Sequence, residues 1–381
     1  MRPLYVYGRD LGMKRWICAI LTAFLLMGMP LGGFASEQER FDSMEELTSY
    51  LFYDCAYMLA GEVEFSYTSA LDGLFSEFPW KMLHSCGMVD FDVSIDRTRR
   101  KVIIRNIEYY SGFKAAQAWE IEMLNLLDED ERTALAHAEA MVEEARQYAQ
   151  SPYQVLLNLH DALSERVTYT PGDEEAEGWS IQDTAIGALN YGQAECDGYS
   201  DAFYLLATLA GFQVRLISGH SDSGDGDGLG AHMWNLLWWE NGWYHVDVTW
   251  DDMDWAEDAS MTNYPYLLLG SDMIKTHVWT EEYLVSHPQQ YTDWDAYYYT
   301  ADPSGLTYGA YYNTVRDACN YIVYKKRECG ERNIHVMIDG DYEDEWETIN
   351  EVLIDCGLTG SWHIWTKNVG EYSYIAIRIK S

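Results

Sequence analysis

The stretch Tyr191-Gly-Gln-Ala-Glu-Cys-Asp-Gly-Tyr-Ser200 places a cysteine at the head of an apolar helix. From Cys196 onward Tyr199, Phe203, Leu206, Ala207 and Ala210 recur at helical spacing, and Gly211 stands where the helix should stop. A cysteine in a first turn meets unpaired backbone N–H groups and the positive end of the helix dipole, which favour the thiolate that attacks a carbonyl. Asp197 opposes this as one exposed charge. Taken alone, a free cysteine is as often a small buried apolar residue.

Two motifs downstream supply what a cysteine nucleophile needs. His232 lies in Ala231-His-Met-Trp-Asn235, and Asp247 in Trp243-Tyr-His-Val-Asp-Val-Thr-Trp-Asp251. Thiol, imidazole and carboxylate are the three parts of an acyl-attacking triad. Residues 213–218, 232–239 and 243–250 read as strands, the last two joined by Asn241-Gly242, a type I′ hairpin pair that sets Glu240 opposite Trp243. That register puts His232 and Asp247 on one face, but it sets His232 opposite Asp251 and leaves Asp247 about 13 Å away along the strand. Twist or a bulge must close the gap, and spacing alone leaves Asp247 and Asp251 both open. His245 reads as an ordinary surface or hydrogen-bonded histidine.

The runs Ala185 to Phe203, Ala231 to Asn235 and Gly242 to Asp252 together resemble the core of the transglutaminase-like superfamily, which includes transglutaminases, peptide N-glycanases and bacterial peptidases. The resemblance implies a papain-like α+β fold with Cys196 as nucleophile, His232 as base and Asp247 as acid. It covers about residues 150 to 285, including a helix from Val155 to Arg166 with His160-Asp161, and Tyr264-Pro-Tyr-Leu-Leu-Leu-Gly270. Animal cross-linking enzymes share a Cys-Trp pair, whereas Asp197 follows the cysteine here, and Asp-Gly-Tyr is more similar to the bacterial peptidase-like branch. Hydrolysis of peptide or side-chain amides through a thioester is therefore favoured over glutamine transamidation. A non-catalytic surface-binding protein on the same scaffold is the other alternative. Cys196 N–H is the expected oxyanion donor, with Gln193 and Tyr191 as candidates for the second.

The two flanks of this core read alike. In the first, a helix from Asp42 to Tyr53, a strand Val63 to Tyr67, a helix from about Leu71 to Cys86 and a hairpin of Phe91 to Ile95 with Val102 to Ile107 form an α-β-α-β-β unit. In the second, Asn313 to Tyr324, Ile334 to Ile338, Asp344 to Cys356, and Trp362 to Thr366 with Tyr374 to Ile379 repeat it. Tyr50 matches Tyr321, Phe65 matches Val336 and Cys86-Gly87 matches Cys356-Gly357 at nearly constant offset, the pattern of an internal repeat. The Cys-Gly steps read as helix ends closed by glycine.

The domain reading is thus a signal peptide at 1–35, a flank at 37–127, a core with its connector helix at 128–292, a linker at 293–312 and a second flank at 313–381. Lys14-Arg15, the apolar run Trp16 to Met29 and Gly33-Phe-Ala35 are the parts of a cleaved export signal, too short for a confident membrane span. A secreted or cell-surface protein is expected, with no stable membrane insertion after signal removal. The net charge of -37 reads first as solubility, disfavours nucleic acid and anionic polymers as partners, and would attract cationic peptides or amines if it steers substrates; the expected partner is a peptide or protein substrate, with cell-wall peptide as one candidate. With Cys18 in the signal and Cys196 reduced, five cysteines remain, an odd number that argues against an obligatory disulfide framework. Ser221 to Gly230 departs from the calcium-loop pattern and reads as a gating loop, and Asp339, Asp341 and Glu343 read as charge preceding a helix. No cofactor or metal is expected.

Overall fold

The computed structural model describes residues 39–76, 79–171, 179–222, 228–240, 242–252, 263–271, 274–280, 311–343, 345–369 and 371–380. β1 (Arg40–Phe41) leads into α1 (Met44–Ser49), where Ser43 Oγ accepts from the Glu46 amide, and the helix runs on as a π-turn over Tyr50–Ala56. After β2 (Glu62–Tyr67) the expected helix over 71–86 is broken. Short 3₁₀ turns at Ser69–Leu71 and Leu74–Ser76 precede α2 (Trp80–Ser85), whose N-cap is Pro79. Inside a longer helix Pro79 would remove an amide donor and collide with the preceding turn. The hairpin of β3 (Met88–Asp96) and β4 (Lys101–Tyr109) completes a sheet in the order β1-β2-β4-β3.

The central part begins with α3 (Ser111–Glu120), α4 (Glu129–Gln147) and α5 (Pro152–Arg166). α4 is the expected connector helix and opens on a reciprocal cap, with Asp128 accepting from the Glu131 amide and Glu131 from the Asp128 amide. β5 (Thr168–Tyr169) and β6 (Gln193–Ala194) then pair in parallel just ahead of α6 (Cys196–Ala210). From Gly198 to Leu209 every residue of α6 is buried, so this helix is the hub of the molecule. Asp201 of α6 accepts the Gly112 and Phe113 amides of α3, each at 2.7 Å, and the Ala185 amide at 2.8 Å.

α6 lies against a sheet of β7 (Val214–Asp222), β8 (Leu229–Trp239) and β9 (Gly242–Val246), followed by α7 (Val248–Asp251), β10 (Leu267–Leu269) and β11 (His277–Val278). Its order is β10-β9-β8-β7-β11. Two expectations are corrected here. Trp239 pairs with Gly242 and Trp238 with Trp243, so Glu240 does not oppose Trp243. Glu240 instead enters the turn with φ 52°, and its neighbour Asn241 lies outside the described residues. The strand expected over 243–250 stops at Val246, because Asp247 caps α7 by accepting from the Trp250 amide at 3.2 Å. Ser221 and Asp222 end β7 and Leu229 begins β8, while the centre of the expected gating loop falls outside the described residues.

The second flank comprises β12 (Tyr311–Tyr312), α8 (Val315–Tyr324), β13 (Asn333–Asp339), α9 (Trp346–Asp355), β14 (Trp362–Val369) and β15 (Tyr372–Ile379). Its order, β12-β13-β15-β14, reproduces that of the first flank, including a two-residue parallel edge strand absent from the sequence reading of either unit. Tyr311–Tyr312, expected as linker, is that edge strand. In both units the Cys-Gly step closes a helix as expected, with φ 85° at Gly87 and 90° at Gly357. Cys55, Cys86, Cys196, Cys319, Cys329 and Cys356 are all free thiols.

Candidate active site

His232 sits on β8, paired across to Gly219 of β7, and its Nε2 donates to Asp247 Oδ2 at 2.7 Å. The end of β9 at Val246 is what makes this possible. By turning into α7, the chain brings the carboxylate back to the imidazole that a continuing strand would have left far away. Asp251 takes a different partner, His160 Nε2 at 2.9 Å, which separates the two aspartates that spacing alone left open. His245 is fully buried and accepts from Trp234 Nε1 at 3.0 Å.

Asp247 is almost wholly buried, 1 % exposed. Burial alone would raise its pKa, but the electrostatic pull of the His232 and His277 rings and the hydrogen bonds they donate hold it well below the usual carboxylate range. An ionised carboxylate only accepts, so Nε2 of His232 carries the proton and Nδ1 is the nitrogen left to take one. The ring lies between indoles, with Trp234 stacked at 5.7 Å and Trp250 at 5.6 Å between centroids.

Cys196 occupies the first position of α6, half-buried, and the backbone of Met233, the residue after His232, acts on its thiol in the direction that favours the charged form. Ser200 Oγ, one turn further on, lies 2.8 Å from both the Cys196 and Met233 carbonyls and ties the helix head to β8. Gly198 allows the helix to start here, since a Cβ would come within 2.2 Å of the Gln182 carbonyl. The expected thiolate is corrected. Burial first and the Asp197 carboxylate second push the Cys196 thiol well above its ordinary value, so the resting group is S–H. Nor is Asp197 a simple exposed charge. It accepts the Tyr110 hydroxyl at 2.7 Å and lies 3.5 Å from Cys196 Sγ, while Tyr110 Oη meets His84 Nδ1 at 3.0 Å. A chain of polar groups thus runs from the first flank to the sulfur.

Residues 139–248 match the model of the transglutaminase-like superfamily. This stretch is a transglutaminase-like core. It contains Cys196, His232 and Asp247, whereas both flanks and His277 lie outside it. Among solved structures the chain is similar to a TGase, at 11% identity and TM-score 0.28, covering 49% of this chain and 51% of that one. It is similar to the periplasmic domain of TgpA from Pseudomonas aeruginosa at 20% identity and TM-score 0.24, over 39% of this chain and 53% of that one. For a proposed cysteine protease from Cytophaga hutchinsonii the values are 13%, 0.25, 42% and 62%. The chain therefore spans about half to three-fifths of the length of these structures. No curated protein matches it.

Around the transglutaminase-like core the structure adds groups that its motifs do not name. His277 Nε2 reaches Asp247 Oδ2 at 2.9 Å, the oxygen already bonded to His232. The ligand-type atoms of His232, Asp247 and His277 lie within 4.8 Å of one another, and these same atoms are engaged in the two hydrogen bonds. Tyr169, 45% exposed on β5, has its phenol pushed up to about 12 by burial and then by Cys196, which puts it at the rim of the thiol site. Lys367 of β14 lies 4.9 Å over the Trp250 ring. Of the expected second oxyanion donors, Tyr191 is 61% exposed and Gln193 lies on the exposed end of β6. Within the described residues no helix is long and apolar enough to cross a membrane.

Proposed function

We propose that the protein is an exported thiol hydrolase that cleaves peptide or side-chain amides through Cys196, His232 and Asp247. The observation that carries this is the buried 2.7 Å bond from His232 to Asp247, set on the strand that Ser200 Oγ ties to the head of the Cys196 helix through the Met233 carbonyl. The thiol rests protonated, so proton transfer accompanies attack. His232 Nδ1 takes the thiol proton as Cys196 Sγ bonds to the substrate carbonyl carbon, and Asp247 stabilises the imidazolium that forms. The amide N–H of Cys196, in the first turn and without a partner within the helix, faces the developing oxyanion. His232 then returns the proton to the leaving amine, the C–N bond breaks, and water releases the acyl group from sulfur.

Hydrolysis is preferred to transamidation because a carboxylate follows the nucleophile where the cross-linking enzymes have an indole. The acidic surface, with net charge -37, favours cationic peptides as substrates. Export is read from Lys14-Arg15 and the apolar run after it. Incubating casein with a labelled amine tests the reaction type. Fragments without incorporated label are expected from the wild type and none from Cys196→Ala, whereas label incorporated into intact casein means transamidation.

A further inference from the structure

We propose that His277 is a positioning residue for the base, occupying the second lone pair of Asp247 Oδ2 so that the carboxylate is fixed and its charge is divided between two imidazoles. The inference rests on the triad reading of Cys196, His232 and Asp247. The geometry is a fork in which Asp247 Oδ2 accepts from His232 Nε2 at 2.7 Å and His277 Nε2 at 2.9 Å, while Oδ1 accepts the Trp250 amide at 3.2 Å. The ionised Asp247 only accepts, so His277 Nε2 donates to it and Nδ1 is left to accept from Thr276 Oγ1 at 2.9 Å. Its ring is wedged among Trp250 at 4.6 Å, Trp234 at 4.8 Å, His232 at 5.2 Å and Tyr266 at 5.7 Å. The charged or titratable groups around it are Asp247, His232, Lys367 and Tyr266. Burial lowers its pKa against the pull of Asp247, so it enters the fork as a neutral donor.

His277 arrives on β11, held against β7 by pairing with Ser221, and lies beyond the stretch 139–248 that matches the family model. Without its N–H, one lone pair of the buried Oδ2 is left without a donor and the whole carboxylate charge faces His232. Asp247 then holds its proton to higher pH, and the undivided negative charge stabilises positive charge on the base side of the site. A spacer that filled the same volume without donating would leave the packing intact and change the proton affinities.

The test is the burst of p-nitrophenol released as p-nitrophenyl acetate acylates Cys196, followed against pH with the full chain. In His277→Phe the limiting acylation rate is expected to fall about tenfold with KM unchanged, and the acid limb to move up by about one pH unit. His277→Gln, whose amide reaches Asp247, is expected to keep the limb in place, and the shorter His277→Asn is expected to shift it. Should His277→Phe not fold, the Gln and Asn pair decides the matter. A folded Phe variant with its limb where the wild type has it, or equal limbs in Gln and Asn, overturns the role of His277. A burst that survives in Cys196→Ala instead overturns the triad itself.

Discussion

The two flanking units have the same strand order and turn opposite sides to the core. The first docks through its helices. Arg215 of β7 lies 4.7 Å over the Phe52 ring, the Ser218 amide donates to Ser85 Oγ at 3.1 Å, and Lys81 Nζ donates to the Gly219 carbonyl at 2.9 Å. Its sheet keeps a wet face, where Glu64 and Lys101 pair at 2.7 Å. The second docks through its sheet. Ile334, Val336, Ile375 and Ile377 face its own helices, while Met337, Tyr374 and Ala376 join the main core. At the positions equivalent to Glu64 and Lys101 stand His335 and Tyr374, joined at 2.7 Å by a neutral hydrogen bond. One diagonal pair of positions thus holds an ion pair where water reaches it and an uncharged pair where it does not, the difference that desolvation of charge demands.

A similar device stands at non-equivalent positions of the two units. Each flank presents a tyrosine hydroxyl to the central part, backed by a histidine. Tyr110 reaches Asp197 with His84 behind it, and Tyr374 reaches Asn263 Oδ1 at 2.9 Å with His335 behind it. The first flank therefore bears on the thiol. Through Lys367 over Trp250 the second bears on the imidazole side.

The matched pair Ala376 and Ile103 gives the comparison its hardest test, since one lies in the covered face and the other in the wet one. Ala376→Asp buries an unpaired charge and is expected to cost about 3 kcal/mol or more in urea unfolding, against about 1 kcal/mol or less for Ile103→Asp. Equal losses would mean that the two sheets are solvated alike. Acidification is the next lever. His84 and His335 are each pulled down to about 4 from 6.5, by burial in both and by Lys81 also at His84. The unfolded chain binds these protons first, so stability should fall as pH drops from about 6.5 to about 4. Thermal unfolding midpoints should show a shallower fall in His335→Gln, and an unchanged slope would remove that histidine from the account. Smallest in energy is the effect of the first flank's contact. Asp197→Asn keeps an acceptor for Tyr110 but removes the charge beside the sulfur, and about tenfold faster alkylation of Cys196 near pH 7 is expected.

What the chain announces and what it conceals divide along range of interaction. The helix beginning at Cys196 and ending before Gly211 was legible because a periodic apolar pattern and a terminal glycine act locally, and the repeated Cys-Gly steps were legible for the same reason. The end of β9 was hidden by Val248, Thr249 and Trp250, residues of good strand propensity overruled when Asp247 caps a single helical turn. The register of the β8–β9 hairpin was misread because Asn-Gly drew the turn forward by one residue, whereas Glu240 takes the left-handed position. His277 stands on a two-residue strand with no periodicity to mark it, and Tyr110 lies 87 positions from Asp197. Neither can be found by any local pattern.

The account stands most directly on the rate at which iodoacetamide modifies Cys196, read on its own peptide by mass spectrometry, in the wild type and in His232→Ala. A base that takes the thiol proton predicts modification at least about tenfold slower in the variant at neutral pH. Equal rates in two folded proteins would contradict it, leaving Cys196 an ordinary thiol at the head of a helix.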